Sequence, residues 1–424
     1  MNPKAPPKSH SSHKSPAADR RGRAGERMGA DGKKGWQTKK LGEMCETGSG
    51  GTPLKAHKEY YEGGSIPWLL SGEVGQGEVC AATNFITQKG LENSSAKVFP
   101  KDTVLVAMYG ATAGQVGILR LEATTNQAVC GVFPGKHFVA EFLYYLLLSR
   151  KEQLVGQAVG NAQPNISQVK IRNTQVPVVP LPEQHRLVRL LDEAFAGLAT
   201  AKANAEKNLQ NARALFESHL QSVFTQRGEG WVEKRLEQIG RTQTGSTPRT
   251  SEHTNFGDFI SFVKPADFRA DGSLDYEKDG LSQKGLAGAR KVPSGSVLMV
   301  CIGATIGKCG YCDRDVTTNQ QINSLTPTDG SSHRFIYYQM LTDGFQRRVM
   351  HASGQATLPI INKSKWSSLP VWLPPTIAEQ KRIAAKLDAL VAETQRLASL
   401  YQRKLAALEE LKKSLLHQAF KGAL

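Results

Sequence analysis

Two short stretches carry residue types that bind phosphate or metal in other proteins, but each lacks part of the required pattern. The segment GATIGK (303–308) places a lysine after two glycines, as a phosphate-binding loop does. It has three residues between its glycines where that loop needs four, and Cys309 follows where a hydroxyl should bind magnesium. The pair Cys309-x-x-Cys312 could bind zinc or do redox chemistry, but no second pair follows at zinc-site spacing. The sequence therefore predicts neither a nucleotide site nor a metal site.

Two further stretches match catalytic motifs only in part. LDEAF (191–195) contains the Asp-Glu pair of helicases, but it lies in a predicted helix and no phosphate loop accompanies it. LPPT (373–376) lacks both the leading amide or acid and the aromatic residue of the adenine-methyltransferase motif. No Gly-x-Gly opens a strand–helix unit either. We expect no catalytic residue and no cofactor, and a chain that catalyses nothing by itself.

These stretches belong to a chain that repeats itself. YGATAG (109–114) returns as IGATIG (302–307), and the offset between matched segments stays between 193 and 198 residues. A period of this length is the size of a whole domain, so the chain is a tandem duplication of one unit. The other matched pairs are ETGSGGTP (46–53) with QTGSTP (243–248), TTNQA (124–128) with TTNQQ (317–321), and GQAVGNAQPNIS (156–167) with GQATLPIINKS (354–364).

Each repeat predicts a globular part followed by a long helix. The Val-rich runs 102–108 and 295–302 are bounded by turn residues and predict buried strands. Proline then delays the helix, which we expect from about Glu183 to Thr225 and from about Ala378 to Phe420. Apolar residues at alternating steps of three and four predict a coiled-coil seam. Each helix would be roughly 60–65 Å long, and the two would bury their seams by packing antiparallel.

Composition describes ordinary globular material with a basic surface. The chain is 39% hydrophobic and 22% charged, and no run approaches the ~18 apolar residues of a membrane helix. Six unevenly spaced cysteines favour free thiols and a reducing cytoplasm. The net charge is +16, of which the tail to Gly35 supplies +6 from nine Lys/Arg and three acids. The excess favours a polyanionic partner, with a solvated basic surface that has no partner as the alternative.

The motifs resemble those of type I restriction–modification specificity subunits. TGSGGTP and TGSTP, the GATAG and GATIG loops, TTNQ, and PLPEQ (180–184) or LPPTIAEQ (373–380) before the long helices carry the resemblance over roughly residues 35–424. It implies a mixed α/β fold with two similar target recognition domains, separated by two long antiparallel coiled-coil helices in a pseudo-two-fold repeat. Each domain would read half of a split target in double-stranded DNA. The helices would set the spacing and dock two methyltransferase subunits, which bind S-adenosylmethionine; a further ATP-dependent subunit translocates and cuts DNA.

Five segments and a set of DNA-binding candidates follow from this resemblance. The segments are a disordered basic tail (1–34), recognition domain 1 (35–182), a spacer helix (183–226), recognition domain 2 (227–377) and a C-terminal helix (378–424). Segments 57–80 and 253–275 differ strongly between the repeats, so base contacts are expected there, with phosphate contacts from the Thr-Gly-Ser segments and the glycine loops. The DNA-binding candidates are Thr47, Gly48, Ser49, Lys58, Tyr60, Glu73, Gln76, Gly110, Thr112, Thr244, Gly245, Ser246, Lys264, Asp267, Arg269, Gly303 and Thr305.

Blander interpretations stay open at this point. Each charged candidate is also explicable as a surface residue, the Thr-Gly-Ser segments as plain turns, and the Asn-Gln pairs as groups that satisfy buried backbone. A non-catalytic coiled-coil adaptor with protein-binding end domains is the alternative function. Binding that distinguishes DNA sequences would exclude it. A third interpretation, an autonomous nuclease or methylase, is disfavoured by the incomplete motifs.

Overall fold

The computed structural model describes residues 36–156, 165–354 and 358–424. The predicted disordered tail lies outside these residues. The chain divides into two compact units: the first runs to Phe195 and includes Lys412–Leu424, and the second is Ala196–Leu411. Within the described ranges, every helix is too short or too polar to cross a membrane.

The described residues of the first unit form ten strands and the beginning of a long helix. Its strands are β1 Gln37–Lys40, β2 Glu46–Ser49, β3 Ile66–Leu69, β4 Gly77–Val79, β5 Phe85–Ile86, β6 Val104–Ala107, β7 Val116–Leu119, β8 Thr124–Thr125, β9 Val129–Phe133 and β10 Gln175–Val178. Its helices are α1 Leu41–Met44, α2 Gln88–Glu92, α3 Ala140–Ser149, α4 Lys151–Gly156, α5 Gln168–Arg172 and the first part of α6 Leu181–Thr225. They form sheets of order β2-β9-β6-β7-β4, β5-β3-β8 and β1-β10.

The second unit repeats this plan with small differences. Its strands are β11 Val232–Arg235, β12 Gly240–Thr244, β13 Phe256–Val263, β14 Gly280–Leu281, β15 Lys291–Val292, β16 Ser296–Val300, β17 Cys309–Cys312, β18 Val316–Thr318, β19 Ile322–Pro327 and β20 Pro370–Leu373. Its helices are α7 Leu236–Ile239, α8 Gln283–Ala287, α9 His333–Met340, α10 Asp343–Ser353, α11 Lys363–Ser367 and most of α12 Ile377–Lys421. The sheet orders are β12-β19-β16-β17, β14-β13-β18-β15 and β11-β20. The prediction of two similar mixed α/β domains is therefore confirmed.

The central strand of each unit is buried on both faces, which explains its continuous apolar sequence. In β6, Val104 and Val106 face a core that contains α3, whereas Leu105 and Ala107 face a second core that includes Leu69 of β3. Strand β16 alternates between two cores in the same way. A strand covered on both sides buries every side chain, so its sequence loses the polar–apolar alternation of a surface strand. Both predicted buried strands are confirmed.

Two 45-residue helices, α6 and α12, follow the globular parts. Helix α6 begins at Leu181, two residues before the predicted Glu183, and so includes Pro182. The expectation that it starts beyond the prolines was wrong because proline lacks only an N–H that the first turn leaves unbonded anyway. Within the second unit the two helices run antiparallel, since Lys202 Nζ lies 2.8 Å from Glu409 Oε1 while Glu217 lines a groove with Thr394. The predicted seam is incomplete: Leu411 is 47% exposed.

A buried glutamine anchors the start of each long helix to its globular part. Gln184 Oε1 accepts a hydrogen bond from the Val139 N–H (2.8 Å), and Nε2 donates to the carbonyls of His137 (2.9 Å) and Val179 (2.7 Å). Gln380 Oε1 likewise accepts from the Ser332 N–H at 2.9 Å. The glutamine that ends PLPEQ and LPPTIAEQ is thus a structural anchor.

A tyrosine–aspartate hydrogen bond fastens each helix about two turns further on. The Tyr145 hydroxyl donates to Asp192 at 2.5 Å, and the Tyr338 hydroxyl donates to Asp388 at 2.5 Å. Burial, and then the neighbouring carboxylate, raises the pKa of both phenols, so both stay protonated and able to donate. In both units α3 or α9 and the long helix are therefore held together at two points.

Candidate nucleic-acid interface

The glycines of the Thr-Gly-Ser segments press directly against the Thr-Thr-Asn segments. A Cβ on Gly50 would lie 2.1 Å from Thr125 Oγ1, and a Cβ on Gly245 would lie 2.2 Å from the Asn319 carbonyl. Real Cβ atoms do not come this close to backbone, so only glycine permits the approach. The Gly51 and Ser246 N–H groups then donate to the carbonyls of Thr125 (2.8 Å) and Thr318 (2.9 Å). Both shared motifs therefore form one interlocked frame in each unit.

The sheet register corrects the alignment of these segments. The Gly50 N–H donates to the Val129 carbonyl, and the Gly245 N–H donates to the carbonyl of Ile322, the first residue of the matching strand. Gly50, rather than Gly48, is therefore the counterpart of Gly245. The two segments therefore align without a gap, and Ser49-Gly50-Gly51 corresponds to Thr244-Gly245-Ser246.

The predicted phosphate-binding hydroxyls of these strands make internal hydrogen bonds. Gln168 bonds both Ser49 Oγ (3.0 Å) and Thr47 Oγ1 (2.8 Å), and Thr244 Oγ1 donates to Asn323 Oδ1 at 2.8 Å. Ser246 Oγ accepts from the Arg290 N–H at 3.1 Å. These hydroxyls stabilise the frame and lie at its edge.

The Asn-Gln pairs divide into one buried role and one surface role. Asn126 and Asn319 side chains accept from the backbone N–H two residues on, both at 3.1 Å, as predicted. Gln127 and Gln320 are exposed and accept from the hydroxyls of Thr52 and Thr247. The DNA-binding candidates predicted from the sequence do not include this hydroxyl–carboxamide pair, which both units contain. The Thr-Pro and Asn-Gln dipeptides that the two repeats share could have indicated it.

The glycine loops lie beside this frame. Gly110 and Gly114 have φ of 71° and 79°, and Gly303 and Gly307 have φ of 97° and 86°, which only glycine adopts without strain. Thr112 and Thr305 lie between each pair of glycines, partly exposed and exposed respectively. The Gly303 N–H donates to the Pro359 carbonyl at 3.0 Å, and Gly303 lies near Gln321. The loop therefore continues the surface that the Asn-Gln pair begins.

The divergent segments start from the frame. Strand β3 pairs parallel with β8, and the Asn126 N–H donates to the Leu69 carbonyl at 2.9 Å. Strand β13 pairs parallel with β18, and the Asn319 N–H donates to the Val263 carbonyl at 3.2 Å. A 3₁₀ turn follows in both units, Ser71–Gln76 in the first and Pro265–Asp267 in the second.

The side chains of three predicted base readers make contacts within the protein. Glu73 Oε2 accepts from the Leu70 N–H and Asp267 Oδ2 from the Lys264 N–H, both at 2.7 Å, so these carboxylates cap the two 3₁₀ turns. Asp267 is 3% exposed and Tyr60 is 8% exposed, and Tyr60 stacks on His57. Because these three side chains are buried or hydrogen-bonded within the protein, we withdraw all three as direct base readers.

Three of the four remaining predicted readers, Lys58, Lys264 and Arg269, reach the surface. Lys58 is exposed at the start of a 3₁₀ turn. Lys264 Nζ lies 2.8 Å from Asp279 Oδ2, and Arg269 lies 3.8 Å from Asp275. The cation of each pair is exposed, so a polyanion can displace either carboxylate at little cost. Gln76 ends the first 3₁₀ turn. The sequence interpretation also missed three cations beside β12, namely Arg241, Arg290 and Lys363.

The cysteine pair is built into a core. Cys309 and Cys312 lie on β17, 4% and 0% exposed. Burial raises the pKa of the Cys312 thiol to about 11 and that of Cys309 further, so both are protonated at neutral pH. The structure thus gives this pair the environment of packing residues.

Comparison with known proteins gives a consistent result. A family model described as the type I restriction modification DNA specificity domain matches the chain twice, at residues 33–209 and 228–403. The chain is 29% identical over 168 residues to the Type I restriction enzyme EcoR124I/EcoR124II specificity subunit of Escherichia coli, which is 38% of this chain and 41% of that protein. It is 28% identical over 233 residues to the MjaIX specificity subunit of Methanocaldococcus jannaschii, 50% and 53% of the two chains. The chain thus spans 41% and 53% of these two relatives.

Solved structures share the fold over nearly the whole chain. One, described as "Structural basis underlying complex assembly and conformational transition of the type I R-M system", gives a TM-score of 0.75 at 20% identity and covers 93% of this chain and 100% of that one. The HsdS subunit of Thermoanaerobacter tengcongensis gives a TM-score of 0.62 at 19% identity, with 92% and 98% coverage.

Proposed function

The chain belongs to the type I restriction modification DNA specificity domain family, and we propose that it selects the DNA sequence on which a type I restriction–modification system acts. Each globular domain reads one half of a bipartite target in double-stranded DNA. The long helices set the distance between the halves and dock two methyltransferase subunits. A restriction subunit that translocates and cuts DNA completes such a system. The chain itself needs no cofactor, contributes recognition without catalysis, and works in the cytoplasm away from membranes.

One observation carries this proposal: shared residues build a frame, and differing residues extend from it. Gly50 with Thr125, and Gly245 with Asn319, lock the same motifs together in both units. The segments that leave β3 and β13 beside these motifs differ in sequence. Two readers of an asymmetric target need a common scaffold and different contact groups, which is what this division supplies.

Several residue types in those segments suit DNA. Lysine and arginine pair with guanine O6 and N7, and a glutamine carboxamide pairs with adenine. Lys58 in the first unit and Lys264 and Arg269 in the second are the base-reading candidates, together with Gln76. Thr112, Thr305 and the glycine loops Gly110–Thr112 and Gly303–Thr305 are candidates for backbone contacts, which position a protein without specifying sequence.

Adenine methylation mapped in cells that carry the complete system tests the proposal. Exchanging residues 53–80 for the corresponding segment of another family member should change one half-sequence and leave the other half and the gap unchanged. The reciprocal exchange of 253–275 is the matched control and should change only the other half. If either exchange altered both halves, or if both left the methylated sequence intact, the proposed division of labour would be wrong.

A further inference from the structure

A basic groove lies along β12 in the second unit. Arg241 and Thr244 from β12, Arg290 from the turn before β15, and Lys363 from the start of α11 line a cavity of about 830 Å³. All three cations are exposed. The groove borders the Thr-Gly-Ser frame, because the Arg290 N–H donates to Ser246 Oγ at 3.1 Å.

The three cations are uncompensated within the described part of the chain. No carboxylate there lies within 4.0 Å of Arg241, Arg290 or Lys363, whereas Lys291 at the same rim pairs with Asp315 at 2.5 Å. Arg290 is also held in place, since its Nη1 donates to the Thr244 carbonyl at 2.8 Å. Folding has thus gathered three positive charges without neutralising them, which costs Coulomb energy that an anionic ligand would recover.

The same position in the first unit carries no net charge. Sheet register places Glu46, opposite Phe133, where Arg241 stands opposite Thr326. Gln168 follows the Ser167 cap of α5 as Lys363 follows the Asn362 cap of α11. Lys97 corresponds to Arg290, because Phe99 and Val292 occupy matching bridges. One cation and one anion therefore replace three cations, a charge of 0 against +3.

We propose that this groove in the second domain binds phosphates of the DNA backbone, and that the first domain has no equivalent anchor. The inference rests on the proposed function and deepens it. The second half-site is held mainly by charge, so its domain retains DNA of any sequence. The first domain lacks these three charges and depends more on base contacts. The two domains thus share a fold but differ in this charge. The second domain contributes more to holding the DNA, and the first contributes more to distinguishing its sequence.

Salt dependence of binding tests the groove. The purified full chain is titrated against a fluorescent duplex of arbitrary sequence between about 50 and 200 mM salt. Each phosphate contact contributes about 0.9 to the magnitude of the slope of the logarithm of the binding constant against the logarithm of the salt concentration. The double variant Arg241→Gln/Lys363→Gln should lower the slope by about 1.8. Wild type should therefore lose about 12-fold more affinity than the variant over this range.

Two further variants separate the groove from general charge. Lys234→Gln/Arg235→Gln makes the same change of charge in the same unit but on β11, where both cations lie within 4.0 Å of carboxylates, and should leave the slope unchanged. Glu46→Arg transplants one groove cation into the first unit and should raise the slope by about 0.9.

Each outcome separates the groove from the proposed function. If wild type binds duplex and Arg241→Gln/Lys363→Gln keeps its slope, the groove proposal is overturned and the proposed function stands. If that variant keeps its slope but loses association with the methyltransferase subunit, the groove fits an acidic protein and the proposal is equally overturned. If the wild-type chain fails to bind any duplex, alone and with its partner subunits, the proposed function fails.

Discussion

The buried anchor at Gln184 predicts a specific loss of stability. Leucine has nearly the volume of glutamine but makes no hydrogen bond, so Gln184→Leu removes three bonds and leaves three backbone groups without their partner. At about 1 kcal/mol for each bond, the free energy of unfolding of the first unit should fall by about 3 kcal/mol. Gln380→Leu removes the bond to the Ser332 N–H and should cost the second unit about 1 kcal/mol.

Urea unfolding with native-state hydrogen exchange measures both losses. Exchange at the Val139 N–H, which bonds Gln184 directly, should accelerate in the Gln184→Leu variant and stay unchanged in Gln380→Leu. Gln210→Leu on the exposed face of α6 is the matched control and should stay within about 0.5 kcal/mol of wild type. Equal losses at Gln184 and Gln210, or a larger loss at Gln380 than at Gln184, would refute the anchor.

Four other predictions follow from the fold. A four-residue insertion near Ala205 should add about 6 Å of helix and widen the gap between methylated half-sequences without changing them; altered half-sequences would refute the ruler. Gly50→Ala should destabilise the first unit by about 1–3 kcal/mol in thermal unfolding, because its Cβ would lie 2.1 Å from Thr125 Oγ1. Gly48→Ala is the control and should destabilise the unit less, because its Cβ would lie no closer than 3.2 Å to a phenylalanine ring. In native protein a thiol reagent should label Cys80 alone and fast. Burial raises the pKa of the Cys45, Cys130 and Cys301 thiols from 9.0 to about 12, so unfolding titrations should show stability that is full below pH 9 and falls towards pH 12.

Much of the frame is predictable because it follows from local physics. Val-rich runs between turn residues identify β6 and β16, and paired glycines identify loops with positive φ. The long helices follow from periodicity, within two residues at each start. The register of Gly50 against Gly245 was not predictable, because Thr-Gly-Ser aligns with Thr-Gly-Ser in sequence and only the pairing of β2 with β9 and of β12 with β19 shows that the two segments align without a gap.

The site was less predictable because a residue type does not reveal its partner. Glu73 and Asp267 look like base readers until the backbone N–H three residues earlier is seen to occupy each carboxylate. The three-residue spacing of a capping turn was the signal, and it is weak in loops. Arg241 and Lys363 are 122 residues apart in sequence, so their shared groove depends on the tertiary fold.

The glycine interlock also bears on how such a protein changes over generations. Replacing Gly50 or Gly245 demands compensating shifts in a backbone that passes within van der Waals distance, so viable change there needs simultaneous substitutions. Exposed side chains in the segments that follow β3 and β13 need no compensating backbone shift, so one nucleotide change can replace them. The mutational distance between two folded variants of different preference is therefore short, whereas the distance to a different framework is long. Positions such as Gly50 and Gly245 are therefore the same in both repeats because of their steric contacts, whereas the exposed segments are free to diverge under selection.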